Sequence, residues 1–231
     1  MTRLPFDLQQ LIFLYLPIDQ LKQLCFESHL SPCHDWYFWA QRANVDFDFP
    51  VALFGGSIKS QERYDEIEGY QANLNATLSK AAYDGELGLV QYAIHRGAGN
   101  FTDALSNAAL GGHLPIVQYF VNRNLGNRTN AASLAAFRGQ LTVVRYLIEH
   151  GVDDLNEALN FAATNGKLAV VQYLVEQGAN DLNSALIRAA RSGQLDVVRY
   201  LVDQGANAIE TALVEATDSH RLAVVGYLRS L

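Results

Sequence analysis

Cysteines are scarce in this sequence, and no hydrophobic run is long. Its two cysteines, Cys25 and Cys33, are too few for a disulfide framework, so we expect a protein of a reducing compartment. The one extended apolar stretch, LIFLYLP, is far too short to span a bilayer. It also follows Asp7 and two glutamines, unlike the core of a secretory signal. We therefore expect a cytoplasmic protein with no membrane partner.

Positive charge is also in short supply, which bears on nucleic-acid binding. The 231 residues carry 17 Lys and Arg against 24 Asp and Glu, for a net charge of −7. Residues 1–75 hold 5 basic and 10 acidic residues, and residues 76–231 hold 12 and 14. Phosphate binding needs a concentrated basic footprint. Neither part has one, so we expect no nucleic-acid partner.

Catalytic motifs are missing as well. The sequence has no P-loop, nucleophile elbow or metalloprotease motif, so we expect neither an enzyme nor a cofactor. Cys25, His29, Cys33 and His34 lie close together, and a Cys and a His four residues apart on a helix can share a metal. Zinc-finger spacings are absent, so we expect no metal site. An enzyme would need an ordered metal at this cluster.

What the sequence does contain is a unit of 27 residues that recurs six times. A glycine marks each unit, and a leucine two residues later and a tyrosine seven residues later keep the same register. The markers are Gly85, Gly112, Gly139, Gly166 and Gly193, with His220 in the sixth place, and the tyrosines are Tyr92, Tyr119, Tyr146, Tyr173, Tyr200 and Tyr227. Repetition of this kind predicts a solenoid of stacked units. We expect the tyrosine rings to pack between helices, with their hydroxyls reaching water.

Each unit predicts two short helices. In SALIRAARSGQLDVVRYLVDQGAN the first covers about residues 184–192 and the second about residues 195–204. Gly193 breaks the first helix, and Gly205 ends the second. Apolar residues at helical spacing predict the buried stripe of the second helix, which is Leu195, Val198, Leu201 and Val202.

This unit resembles the ankyrin repeat, with SAL where that family usually has TPL, then an alanine pair, a helix-breaking glycine and a closing GAN. The resemblance covers about residues 76–231 and implies an all-α, ankyrin-like helical solenoid. The usual ankyrin unit has about 33 residues, and the shortfall here lies between GAN and SAL. We therefore expect the projecting β-hairpins to be missing or reduced to tight turns, so that binding relies on helix faces.

Positions counted back from the repeat glycine divide the first helix into two faces. Positions 7, 4 and 3 before it share one side and are apolar in nearly every copy, which predicts core. Positions 5 and 2 before it point the opposite way and vary between copies. The predicted target-binding residues on this varying face are Tyr83, Leu110, Leu134, Phe137, Phe161, Arg188 and Arg191. Alternatively, some of these residues are partly buried. Copy 3 has Ala132 at the core position where the other copies have leucine, and Leu134 would then fill the core in its place.

The opening stretch LPFDLQQLIFLYLPIDQL lies outside the repeats and resembles the F-box motif. The resemblance covers about residues 2–45 and ends with the aromatic segment around Trp36 and Trp39. It implies docking to the Skp adaptor of cullin–RING ubiquitin ligases through Leu4, Pro5, Leu8, Ile12, Leu16, Pro17 and Leu21. The combination with short ankyrin repeats resembles proteins of large DNA viruses and intracellular bacteria, which implies the cytoplasm of a host cell.

The sequence thus predicts three parts. Residues 1–45 form an F-box-like helical unit, residues 46–75 a connector with a capping helix, and residues 76–231 six short ankyrin-like repeats. The predicted function is substrate receptor of a Skp–cullin–F-box ubiquitin ligase. The alternative is a non-catalytic ankyrin scaffold or inhibitor whose N-terminal helices only cap the solenoid.

Overall fold

A computed structural model describes residues 36–47, residue 69 and residues 73–231. All regular structure in this part of the chain is α-helical. The helices are α1 (Trp36–Phe47), α2 (Leu74–Asp84), α3 (Leu87–His95), α4 (Phe101–Gly111), α5 (Leu114–Asn122), α6 (Arg128–Arg138), α7 (Leu141–Glu149), α8 (Asn156–Thr164), α9 (Leu168–Glu176), α10 (Leu182–Ser192), α11 (Leu195–Asp203), α12 (Ile209–Asp218) and α13 (Leu222–Leu228). Each is too short or too polar to span a bilayer.

The described residues divide into two compact units. The first comprises residues 36–47, 69, 73–77 and 91–97, and the second comprises residues 78–90 and 98–231. In α1 of the first unit, Trp39, Ala40 and Ala43 are fully buried, at the spacing of one helix face. Most of the predicted F-box-like unit and connector lies outside the described residues.

The second unit is a stack of helix pairs. Each of repeats 2 to 6 supplies a first helix and a second helix, from α4 and α5 in repeat 2 to α12 and α13 in repeat 6. Helices α2 and α3 carry the sequence of repeat 1, and each is divided between the two units. From repeat 2 to repeat 6, consecutive first helices pack against each other, and each first helix packs on the second helix of its own repeat. This arrangement confirms the all-α, ankyrin-like solenoid.

The core positions of the first helices are buried as the sequence predicts. Residues 7, 4 and 3 before the repeat glycine are at most 2% exposed in repeats 1–5. In repeat 6, Leu213 is half-buried and Thr217 is exposed. Ala132 is buried in repeat 3 while Leu134 is only half-buried, so Leu134 does not replace the missing core leucine.

The stripe of the second helix is partly different from the prediction. Val197, Val198 and Leu201 are buried in α11, but Leu195 and Val202 are half-buried. Leu195 is the first residue of α11 and Val202 lies in its last turn. Residues at the ends of so short a helix are covered by fewer neighbours than residues at its centre.

The turn after each first helix requires a left-handed residue. Gly193 has φ 80°, and the N–H of Gln194 donates to the Ala189 carbonyl at 2.9 Å, as in a Schellman motif. The corresponding bond recurs in all six repeats. His220 takes the glycine's place in repeat 6 with φ 57°, and Asn124 replaces the glycine that ends other second helices with φ 56°.

The connections between repeats are tight turns. Helix α9 ends at Glu176 and α10 begins at Leu182, and no strand occurs in the described residues, which confirms that the β-hairpins are missing. Helix α10 begins two residues before the predicted start because Asp181 caps it. The Asp181 Oδ1 accepts from the Ser184 N–H at 3.2 Å.

The recurring tyrosines lie on the second helices, where Tyr92 and Tyr173 are buried and the other four are half-buried. Tyr173 is 8% exposed, and the Arg145 guanidinium of the preceding repeat lies 4.6 Å from its ring centroid. Burial raises the pKa of Tyr173, and the nearby Glu149 carboxylate adds to this. Burial, with Glu176, also raises the pKa of Tyr200.

Candidate protein-interaction surface

The seven predicted target-binding residues all lie on first helices, and none of them is buried. Tyr83 is 44% exposed and Phe161 is 36% exposed. Arg188 and Arg191 are exposed, and Leu110, Leu134 and Phe137 are half-buried. The solenoid therefore leaves large apolar side chains partly in water on the face opposite its core.

Neighbouring repeats bring these varying positions together in diagonal pairs. Phe137, two residues before its glycine, contacts Phe161, five residues before the next glycine. Their ring centroids are 6.3 Å apart in a T-shaped arrangement. The same two positions in repeats 5 and 6 hold Arg191 and Glu215, whose Nε and Oε2 are 3.6 Å apart. The sequence predicts that these residues share one face but not that they pair in this way, because the pairing depends on how each repeat is rotated relative to the preceding one.

A cleft of about 260 Å³ opens beside the two phenylalanines. Its lining residues are Phe137, Glu157, Asn160, Phe161, Thr164, Asn165 and Arg188. The Asn160 Oδ1 is buried and has no hydrogen-bond donor among the described residues. The cleft is smaller than typical small-molecule pockets of about 300–1,000 Å³. Its size suits one side chain of a protein partner.

Three arginines surround a second cleft next to the first. Arg188, Arg191 and Arg221 line this cleft of about 380 Å³ together with Thr164, Ser192 and Ser219. Arg188 and Thr164 line both clefts, which therefore adjoin each other. This arginine cluster, Arg188, Arg191 and Arg221, concentrates positive charge on a chain whose net charge is −7.

The charge of the arginine cluster is only weakly neutralised. Within residues 73–231 the cluster makes one ion pair, between Arg191 and Glu215, whose side chains are 70% and 36% exposed. Solvent screens such a pair, which contributes about 0–1 kcal/mol. The Arg221 Nε donates to the Arg191 carbonyl at 3.0 Å. That bond holds the Arg221 side chain beside the other two arginines.

Sequence reasoning did not include Arg221 in the site, although its register position carries a signal. The residue after the repeat glycine is polar or charged in every copy. Its side chain reaches back over the preceding repeat: the His113 Nε2 is 2.7 Å from the Tyr83 carbonyl, and the Gln194 Nε2 donates to the Thr164 carbonyl at 3.3 Å. These residues therefore shape the surface of the repeat before their own.

The predicted Skp-binding residues lie outside the described part of the chain, and so does the cysteine–histidine cluster at residues 25–34. The Skp-binding residues are Leu4, Pro5, Leu8, Ile12, Leu16, Pro17 and Leu21. Their role stays a prediction.

Comparisons with known proteins agree with the fold. A family model described as ankyrin repeats (3 copies) matches residues 78–157 and 152–212. The crystal structure of the human ASB11 ankyrin repeat domain is similar, with a TM-score of 0.56 and 20% sequence identity over 66% of this chain and 82% of that chain. No curated protein matches the chain. Because the family model spans more than half of its residues, the chain belongs to the ankyrin repeat family, whose members are protein–protein interaction modules.

Proposed function

We propose that this chain is a substrate receptor of a Skp–cullin–F-box ubiquitin ligase. The repeats hold a target protein, and the N-terminal segment docks on the Skp adaptor. Catalysis takes place in the ligase partners, and this chain contributes proximity. The observation that carries the proposal is the opening stretch LPFDLQQLIFLYLPIDQL, which resembles the F-box motif at the N-terminal side of an interaction module.

The physical chemistry of that stretch supports docking. Leu8, Ile12 and Leu16 have the spacing of one face of a predicted helix, and Pro17 is expected to end that helix. A segment of about forty residues is too small to bury such a face by itself. A partner protein that covers this face makes the segment stable and gives it a function.

The target is held by the face that carries the seven predicted target-binding residues. Its centre is the Phe137–Phe161 pair, flanked by the exposed Arg188. Aromatic and arginine side chains dominate the binding energy of many protein interfaces. The scaffold or inhibitor function uses the same face but needs no adaptor, and it is supported by the repeats alone.

The test is a calorimetric titration of a purified Skp adaptor into the full chain and into the variant Leu8→Asp/Ile12→Asp. We expect saturable binding to the wild type and loss of binding in the variant, because two carboxylates cannot enter an apolar interface without a large desolvation penalty.

The matched control is Val214→Asp/Leu222→Asp, which makes the same chemical change at positions that are 59% and 81% exposed. This control should bind like the wild type. A folded wild-type chain that does not bind the adaptor would favour the scaffold function.

A further inference from the structure

We infer that the Phe137–Phe161 cleft and the arginine cluster form one composite site, which binds an acidic segment of a target protein through an apolar anchor side chain. The inference deepens the proposed function, since it names the chemistry of the target that the repeats hold. It follows from two adjoining clefts that differ in character and share Arg188 and Thr164.

The apolar end of the site provides the anchor position. Phe137 and Phe161 meet in a T-shaped pair, and the cleft of about 260 Å³ beside them opens to solvent on the face opposite the core. Burying an aliphatic or aromatic side chain there removes apolar surface from water on both partners.

The basic end of the site provides the charge preference. Arg188 makes no ion pair in the described residues, and the pair of Arg191 with Glu215 is open to solvent. Ser192 and Ser219 line the same cleft, and a serine hydroxyl can donate to a carboxylate. Arginine binds carboxylates bidentately, so a carboxylate-bearing segment is the complementary occupant.

The two ends give the site a direction. Glu157 lines the apolar cleft, where its Oε2 accepts from the Ser133 Oγ at 3.3 Å, so negative charge lies on the side of repeats 3 and 4. In the part of the chain that the structure describes, repeats 5 and 6 contribute the three arginines and the one carboxylate that pairs with them, that of Glu215, so this end of the site stays positive. Acidic residues of the target should therefore lie on one side of the anchor only. Neighbouring first helices are about 8–10 Å apart, and an extended chain covers this in about three residues.

The experiment is a selection from a random peptide library displayed on phage, with the full chain as bait. We expect enriched peptides to place Asp or Glu about three residues to one side of an apolar residue. A synthetic enriched peptide should bind the wild type, lose about tenfold or more in affinity for Arg188→Glu, and bind more weakly as salt is added. Replacing its acidic residues by lysine should restore binding to Arg188→Glu.

The matched control is Arg199→Glu, the same charge reversal on the second helix of the same repeat, where Arg199 is also exposed. It should leave peptide affinity within about twofold. Enriched peptides without an acidic bias, equal affinity for wild type and Arg188→Glu, or no enrichment at all would each overturn the inference. The selection involves no adaptor. Peptide binding without adaptor binding would therefore sink the ligase proposal alone, and the reverse result would sink this inference alone.

Discussion

At the scale of single residues, the surface phenylalanines differ from the core phenylalanine in what surrounds them. Phe161 is 36% exposed and Phe137 is half-buried, whereas Phe120 is fully buried. Apolar side chains at these two first-helix positions therefore contribute less to stability than their size suggests. Large apolar side chains on an exposed face often mark an interaction site, which supports the binding role proposed for these two residues.

We expect Phe137→Asp/Phe161→Asp to abolish target binding while destabilising the fold only modestly. Phe120→Ala is the control and should lower the free energy of unfolding by about 3–5 kcal/mol, because it leaves a cavity. Urea unfolding of the three proteins measures the difference. A double variant that is destabilised as much as Phe120→Ala would show that the two surface phenylalanines are core residues.

Tyr173 makes the stability of the fold depend on pH in the alkaline range. Burial raises its pKa in the folded state, so on raising the pH the unfolded chain loses this proton first. The folded state then binds more protons than the unfolded state, and stability falls as the pH rises above the ordinary tyrosine pKa of about 10. Below that pH this contribution to stability is fully present.

We therefore expect Tyr173→Phe to reduce the alkaline loss of stability while changing stability little at about pH 7. The measurement is the free energy of unfolding in urea from about pH 7 to about pH 11. Tyr200→Phe should act in the same direction, since burial raises the pKa of Tyr200 too. A Tyr173→Phe curve parallel to that of the wild type would contradict this assignment.

At the scale of helices and turns, the glycine that ends a first helix and the glycine that ends a second helix are needed for different reasons. Gly193 has φ 80°, and a Cβ there would lie 2.9 Å from the Arg221 Cδ of the next repeat. Gly205 has φ 96°, and nothing lies within 4 Å of a Cβ placed there. The first glycine is needed for its backbone conformation and for the approach of a neighbouring side chain, and the second for conformation alone.

Gly205→Ala should destabilise the chain by about 1–2 kcal/mol through left-handed strain. Gly193→Ala should lower stability by about 1 kcal/mol more, because Arg221 must move and give up its bond to the Arg191 carbonyl. A double-mutant cycle with Arg221→Ala measures the coupling. Additive effects in that cycle would show that Arg221 does not crowd the glycine.

The helices were predictable from the sequence because their signals are local. Gly193 and Gly205 end α10 and α11 where the pattern indicates, and periodicity identifies the buried side of each first helix. The Asp181 cap that moves the start of α10 is also local but was not recognised. Whether Leu134 enters the core was not decided by local pattern, since it depends on how closely neighbouring helices approach the smaller Ala132.

At the scale of the whole molecule, the candidate site was predictable only in part. The face and its seven residues follow from variation between copies. The Phe137–Phe161 pair and the Arg221 position do not, because they join residues of different repeats. A single 27-residue unit does not specify the rotation from one repeat to the next, and that rotation determines which side chains meet across the stack.

The contacts between repeats are also uneven along the stack. Asn183 clamps repeat 6: its Oδ1 accepts from the N–H groups of Asn207 and Ala208 at 2.8 and 3.1 Å. Asn156 makes the corresponding clamp on repeat 5, with both distances 3.0 Å. The same position in repeat 3 is Thr129. Solenoid stability is approximately a sum of repeat and nearest-neighbour terms, so each clamp should act on the repeats that follow it.

We expect Asn183→Ala to weaken amide protection in α12 and α13 by about tenfold, equivalent to about 1.4 kcal/mol, while leaving α4 to α9 unchanged. Asn156→Ala removes the same bonds one repeat earlier and should weaken amide protection in repeats 5 and 6 together. When these two repeats open as one block, only the interface between repeats 4 and 5 is broken, and this is the interface that the variant weakens. Native-state hydrogen exchange resolves the two patterns. If both variants lower protection uniformly from α4 to α13, the stack unfolds as one cooperative unit, and the nearest-neighbour description does not apply to it.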